Sequence, residues 1–143
     1  MKIYVAGSKQ LFAVVRAIIE VLTQAGHEIT YDWTARPLAI DAAEGECAAL
    51  NELQGINLSD AVIILQPGGY GTHIEIGIAL AMRKPIIMLH QDGRWEHAGR
   101  SLIEHPDLRD PAGSLCAFFC MASIAHVHEV DAVMRVLVQI EAE

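Results

Sequence analysis

Ala61-Val-Ile-Ile-Leu-Gln-Pro-Gly-Gly-Tyr-Gly-Thr-His-Ile-Glu75-Ile-Gly-Ile-Ala-Leu80 is the stretch that decides the fold. Its first five residues form an unbroken apolar run bounded by a turn signal, the pattern of a strand buried on both faces. Pro67-Gly68-Gly69-Tyr70-Gly71 cannot continue that strand, and Thr72 to Met82 then reads as a helix. A strand feeding a glycine turn that opens a helix leaves backbone N–H groups without acceptors and aims a positive helix end at the space above the sheet. Gly68, Gly69, Gly71 and Thr72 thus form a cradle for an anion or a sugar. Glu75, expected in the first helical turn, would repel a phosphate but suits attack on an electron-poor sugar carbon. It is the candidate nucleophile.

Outward from this stretch the chain alternates strands and helices. Ile3 to Ala6 is a first strand, and Gly7-Ser8 turns it into a helix with Leu11, Val14, Val15, Ile18, Ile19 and Leu22 at helical spacing, stopped at Gly26. His27 to Tyr31 is a short second strand and Asp32 to Pro37 a loop. A second helix runs from about Ile40, its apolar positions being Ala43, Cys47, Leu50 and Leu53. Ile86 to Leu89 and Ser123 to Val127 complete five strands, and Val130 to Val138 carries the last amphipathic helix. Right-handed crossovers make this a single α/β domain, residues 1–143, with a doubly wound, flavodoxin- or Rossmann-like parallel sheet of order 2-1-3-4-5 and helices on both faces. In that order the loops after strands 1 and 3 flank the switch point, so Gly7-Ser8 and Gly68 to Thr72 border one crevice. Residues 91–114, polar and rich in Gly and Pro, read as an irregular lid or intersubunit arm.

Eighteen acidic against ten basic residues give a formal charge of -8, which repels a nucleic-acid backbone or an anionic membrane and favours a small-molecule partner. No apolar stretch approaches the roughly 18 residues of a membrane span, and nothing at the N-terminus resembles a signal peptide. Cys47, Cys116 and Cys120 are odd in number and lack CxxC spacing, which fits reduced thiols in the cytoplasm.

Each candidate has a plainer reading. Thr72-His-Ile-Glu75 matches a capping box, in which Glu75 would fold back onto its own helix. Tyr4 is either an ordinary strand residue or, through strand alternation, a hydroxyl near the crevice that fixes the carboxylate. Ser8 and Lys9 either hold a sugar hydroxyl or 5'-phosphate or begin the first helix, and Trp33 either stacks on a base or anchors its loop. Asp60 opens strand 3 at the end remote from the crevice and is assigned a structural role. His126-x-His128 lacks a third ligand at supporting spacing, so no metal and no cofactor are expected. The chain has no Walker A lysine and no GxGxxG after strand 1.

Lys2-Ile-Tyr-Val-Ala-Gly-Ser8, Ile56-x-x-Ser59-Asp60 before an apolar strand, and Gly71-Thr-His-Ile-Glu-Ile-Gly-Ile-Ala-Leu80 followed by Lys84-Pro85 together resemble the nucleoside 2-deoxyribosyltransferase superfamily over roughly residues 1–90. That superfamily includes hydrolases that release the base from nucleoside 5'-monophosphates. The resemblance implies that Glu75 attacks the anomeric carbon and that Glu52 assists the leaving base, at a position where the family carries the shorter Asp. It places Gly69 where relatives often hold the sugar 5' group with Asp or Ser, and it implies a homodimer or higher oligomer, with Leu115 to Met121 apolar enough for an interface. Pro67 to Glu75 is also similar to the PGGxGTxxE motif of cytokinin-activating phosphoribohydrolases, although those are longer and place an Arg near Asn51. Both likenesses imply breakage of an N-glycosidic bond in a nucleoside or nucleotide. The contrasting expectation is a non-catalytic nucleotide sensor in which Glu75 only caps its helix.

Overall fold

The computed structural model describes residues 1–36, 38–39, 41–91 and 117–142. Five parallel strands, β1 (Lys2–Ala6), β2 (Glu28–Ile29), β3 (Ala61–Gln66), β4 (Ile86–His90) and β5 (Ile124–Val127), lie in the order β2-β1-β3-β4-β5. Among the described residues four helices, α1 (Phe12–Gln24), α2 (Ala42–Leu58), α3 (Tyr70–Ala81) and α4 (Val130–Glu141), cover the sheet. The expected α/β fold and strand order are those observed. The irregular segment expected at 91–114 falls, apart from Gln91, outside the described residues, as do Leu115 and Cys116.

Strand alternation divides the core into two layers. Ile3, Val5, Ile63, Leu65, Ile87 and Leu89 face Val15, Ile18 and Leu22 of α1 and Val133 and Leu137 of α4. Tyr4, Ala6, Val62, Ile64 and Met88 face the opposite side, with Ile56 of α2 and Ile76 and Ala79 of α3. β1 and β3 are in register, Tyr4 beside Val62, so their C-terminal turns leave the sheet side by side. The chain after β1 goes to one layer and the chain after β3 to the other, which opens the crevice between them.

Several local expectations are corrected. β2 is only two residues long, because an edge strand has one neighbour and its register with β1 ends at Ile29. α2 turns Ala43, Cys47, Leu50 and Leu53 to solvent and packs instead through Gly55 and Ile56, so its apolar spacing does not mark the buried face. A 3-10 turn, Lys9–Leu11, separates Ser8 from α1. Gly26 stops α1 as expected, at φ +89, where glycine is favoured. Asp60 closes the far edge: its carboxylate accepts from Lys2 N at 2.7 Å, and its own N–H donates to Lys2 O.

Candidate active site

α3 begins two residues earlier than the sequence suggests. Gly69 is its N-cap and Thr72 its third helical residue, whose hydroxyl accepts from Gly69 N at 3.3 Å. Thr72 therefore closes the first turn and is not the N-cap, and the expected capping box with Glu75 is absent. Glu75 moves into the second turn, on the face that also buries Thr72, Ile76 and Ala79. This also overturns its expected placement beside the orphan N–H groups, where the helix end would have favoured its ionised form.

Glu75 meets Tyr4 instead. The Tyr4 hydroxyl donates to Glu75 Oε1 at 2.5 Å. Tyr4 is fully buried and Glu75 only 7% exposed, so the bond is shielded from water. Burial pushes the Glu75 carboxyl up from 4.5 to about 7, against the downward pull of the Tyr4 bond and with the nearby Glu52 charge adding to the rise. Burial and the Glu75 charge push the Tyr4 phenol far above its ordinary value, so it remains a donor. Glu52 is half-buried and is itself raised by burial, with Lys9 opposing.

A cavity of about 520 Å³ stands over this pair of carboxyl groups. Gly7, Ser8, Lys9 and Trp33 form one side, Gly68, Gly69, Gly71 and Thr72 the other, and Glu52 and Glu75 both border it. All the expected site residues except Tyr4 line this space, and Tyr4 joins it through Glu75. The first N–H groups of α3 have no intrahelical acceptor. Ser8 heads its 3-10 turn without making a capping bond, and its Oγ is buried with no partner among the described residues. A Cβ on Gly71 would meet nothing within 4 Å and one on Gly69 only Ser8 at 3.8 Å, so the turn is kept open towards the cavity. Gly68 is different: a Cβ there would lie 2.8 Å from Thr72, and its N–H is taken by Gln66 Oε1 at 2.7 Å.

Trp33 is fixed by a bond from its indole N–H to Val5 O at 3.0 Å and by an edge-on contact with Phe12. It is at once a loop anchor and part of the cavity wall. Gly55 was not singled out from the sequence. A Cβ there would come within 2.9 Å of the Tyr4 ring and 2.8 Å of Tyr31, so glycine is what lets α2 close over Tyr4. The visible signal is a glycine inside a helix, which costs roughly 1 kcal/mol relative to Ala unless close packing requires it.

His126 and His128 do share a neighbour, His90, with ring centroids 5.3 Å and 5.8 Å from it. His126 Nδ1 and His90 Nε2 lie 3.0 Å apart as hydrogen-bond partners, and His126 Nε2 donates to Phe119 O. Among the described residues no group of three or more potential ligands is placed to hold a metal ion. No helix among them is long and apolar enough to cross a membrane.

Residues 3–134 match the profile of the nucleoside 2-deoxyribosyltransferase family. No curated protein matches the sequence. Among solved structures, a conserved protein from Enterococcus faecalis V583 superimposes with a TM-score of 0.70 at 20% identity, over 97% of this chain and 98% of that one. The CMP N-glycosidase BcmB from Clostridium botulinum superimposes with a TM-score of 0.57 at 18% identity, over 97% and 99%. These two likenesses establish a shared fold, and the profile match over most of the sequence goes further: this chain belongs to the nucleoside 2-deoxyribosyltransferase family.

Proposed function

We propose that the protein cleaves or exchanges the base of a (2'-deoxy)nucleoside or its 5'-monophosphate through a covalent glycosyl-Glu75 intermediate. The observation that carries this reading is a buried carboxylate at a cavity wall, held by Tyr4 through one oxygen. Family membership and the glycosidase named among the structural neighbours support the reaction class.

The ionised Glu75 attacks C1' with its second oxygen as the C1'–N bond breaks, and Glu52 gives its proton to the departing base. Water, or a second base, then attacks C1' from the vacated side, losing its proton to Glu52 and releasing Glu75. Water gives hydrolysis and a base gives transfer. With a pKa of about 7, Glu75 is substantially ionised at neutral pH while its desolvation keeps it reactive. Tyr4 holds the carboxylate in one orientation, and the N–H groups opening α3, with Ser8 and Lys9, bind the sugar and its 5' group.

The sensor reading needs Glu75 to act as a cap, and Thr72 performs that task. The phosphoribohydrolase reading shares the glycine turn, but no Arg or Lys stands between Pro37 and Asp60 to match the Arg near Asn51. A homodimer remains part of the proposal, since Tyr70, Ile74 and Leu50 are 95%, 64% and 59% exposed on the α2–α3 layer. Incubation with deoxynucleosides, ribonucleosides and their monophosphates, with free base separated by chromatography, tests the activity. Base released by the wild type and abolished in Glu75→Gln supports it; binding without release supports the sensor.

A further inference from the structure

Trp33 borders more than the cavity over Glu75. A second chamber of about 530 Å³ lies between the loop after β2 and the first half of α2, and it shares Lys9, Trp33 and Glu52 with the first. Those three residues line both spaces and stand at their boundary. In the reaction proposed above the sugar occupies the Glu75 side, and the proton donor must stand between sugar and leaving group. Glu52 occupies that boundary.

The outer chamber has its own chemistry. Trp33, immobilised by Val5 and Phe12, offers a rigid ring at the junction, and Tyr31 contributes to the wall. Arg36 is the cation that only this chamber contains. Its Nη1 makes a soft contact with Cys47 Sγ at 3.9 Å, the Tyr31 hydroxyl stands beside it as a second partner, and no carboxylate pairs with it among the described residues. A guanidinium carries five donors and no acceptor, so most of its hydrogen-bonding capacity remains open to a ligand.

We propose that the outer chamber receives the departing base and that Arg36 selects a 6-oxopurine there. The inference rests on the glycosidase reading. A guanidinium fork matches O6 and N7 of a 6-oxopurine with two parallel bonds. The 6-amino group of adenine or the 4-amino group of cytosine would face it donor to donor, and uracil offers no ring acceptor beside O4. Arg36 is thus a specificity-determining residue.

The test compares inosine with adenosine, as nucleosides, deoxynucleosides and 5'-monophosphates, pairs that differ at ring position 6. The expected result is a kcat/KM about tenfold or more higher for hypoxanthine release than for adenine release, a ratio that collapses towards one in Arg36→Ala and is intermediate in Arg36→Lys. A preference for adenine or a pyrimidine, or a ratio unmoved by Arg36→Ala, overturns the proposal. If no substrate releases base, the glycosidase reading fails on its own, and quenching of tryptophan fluorescence by free hypoxanthine against free adenine still judges the chamber. Hypoxanthine binding lost in Arg36→Ala supports it; equal or absent binding of the two bases overturns it.

Discussion

Tyr4, in the first strand, donates its hydroxyl to Glu75, in the third helix, at 2.5 Å across 71 residues of sequence. The bond joins the two elements that bound the crevice and leaves one carboxylate oxygen for chemistry. It also opposes the burial that raises Glu75, so the pair sets both the orientation and the charge of the proposed nucleophile.

Tyr4→Phe removes a donor that favours the ionised carboxylate. The acid limb of kcat/KM, expected near pH 7 for the wild type, moves to higher pH. Loss of the partner leaves a buried acceptor unsatisfied and lowers stability by about 1–3 kcal/mol. A pH–rate profile and urea unfolding check the two parts, and an unmoved limb contradicts the coupling.

Glu75→Gln abolishes base release, by about a thousandfold or more, while the fold is kept. The sign of its stability effect follows from a folded-state pKa raised from 4.5 to about 7. The folded protein then holds a proton that the unfolded chain has lost, so wild-type stability declines as pH rises between those values. The full penalty on the ionised form is about 3 kcal/mol above pH 7. The Gln variant lacks it. Its thermal midpoint should exceed that of the wild type at pH 8 and show little or no such advantage at pH 4.

Glu52→Gln removes the proposed proton donor. Base release from ordinary substrates falls about 10²–10⁴-fold. A 4-nitrophenyl 2-deoxyriboside, whose leaving group departs without being protonated, loses much less. Equal losses on both substrates would remove Glu52 from the acid role.

Gly55→Ala drives a methyl group to within 3 Å of the Tyr4 ring. Overpacking of this kind costs about 1–3 kcal/mol. Because the displaced ring carries the hydroxyl on Glu75, activity should fall further than Gly71→Ala makes it fall by local crowding at an open position. Steady-state kinetics and thermal melts of the two variants make the comparison.

Much of the fold is legible in the sequence because β3 and β4 are continuous apolar runs and β1 is flanked by a glycine turn. Such runs force burial on both faces, and the crossover rule then leaves few orders. The start of α3 is not legible. Thr72 and Glu75 have the spacing of a capping box, and only the packed structure reveals that Gly69 starts the helix and Thr72 closes its turn. The buried face of α2 is hidden for a related reason: Gly55 carries no apolar signal, while Leu50 and Leu53 carry one and face solvent.

The cradle could be placed from the glycine turn and the switch-point rule. The partnership of Tyr4 with Glu75 is legible only as one of two readings, since alternation gives the side of β1 on which Tyr4 lies but not what stands above it. The same limit applies to Glu52, which reaches the cavity from the middle of a mostly exposed helix.

The proposed reaction stands on a covalent bond between Glu75 and a sugar carbon. Intact-protein mass spectrometry after rapid acid quench, using a 2'-fluorinated substrate to slow breakdown of the intermediate, tests it most directly. One added glycosyl group is expected, located by peptide mapping at Glu75 and missing from Glu75→Gln. Continued base release by Glu75→Gln, or a wild-type adduct on another residue, would contradict it.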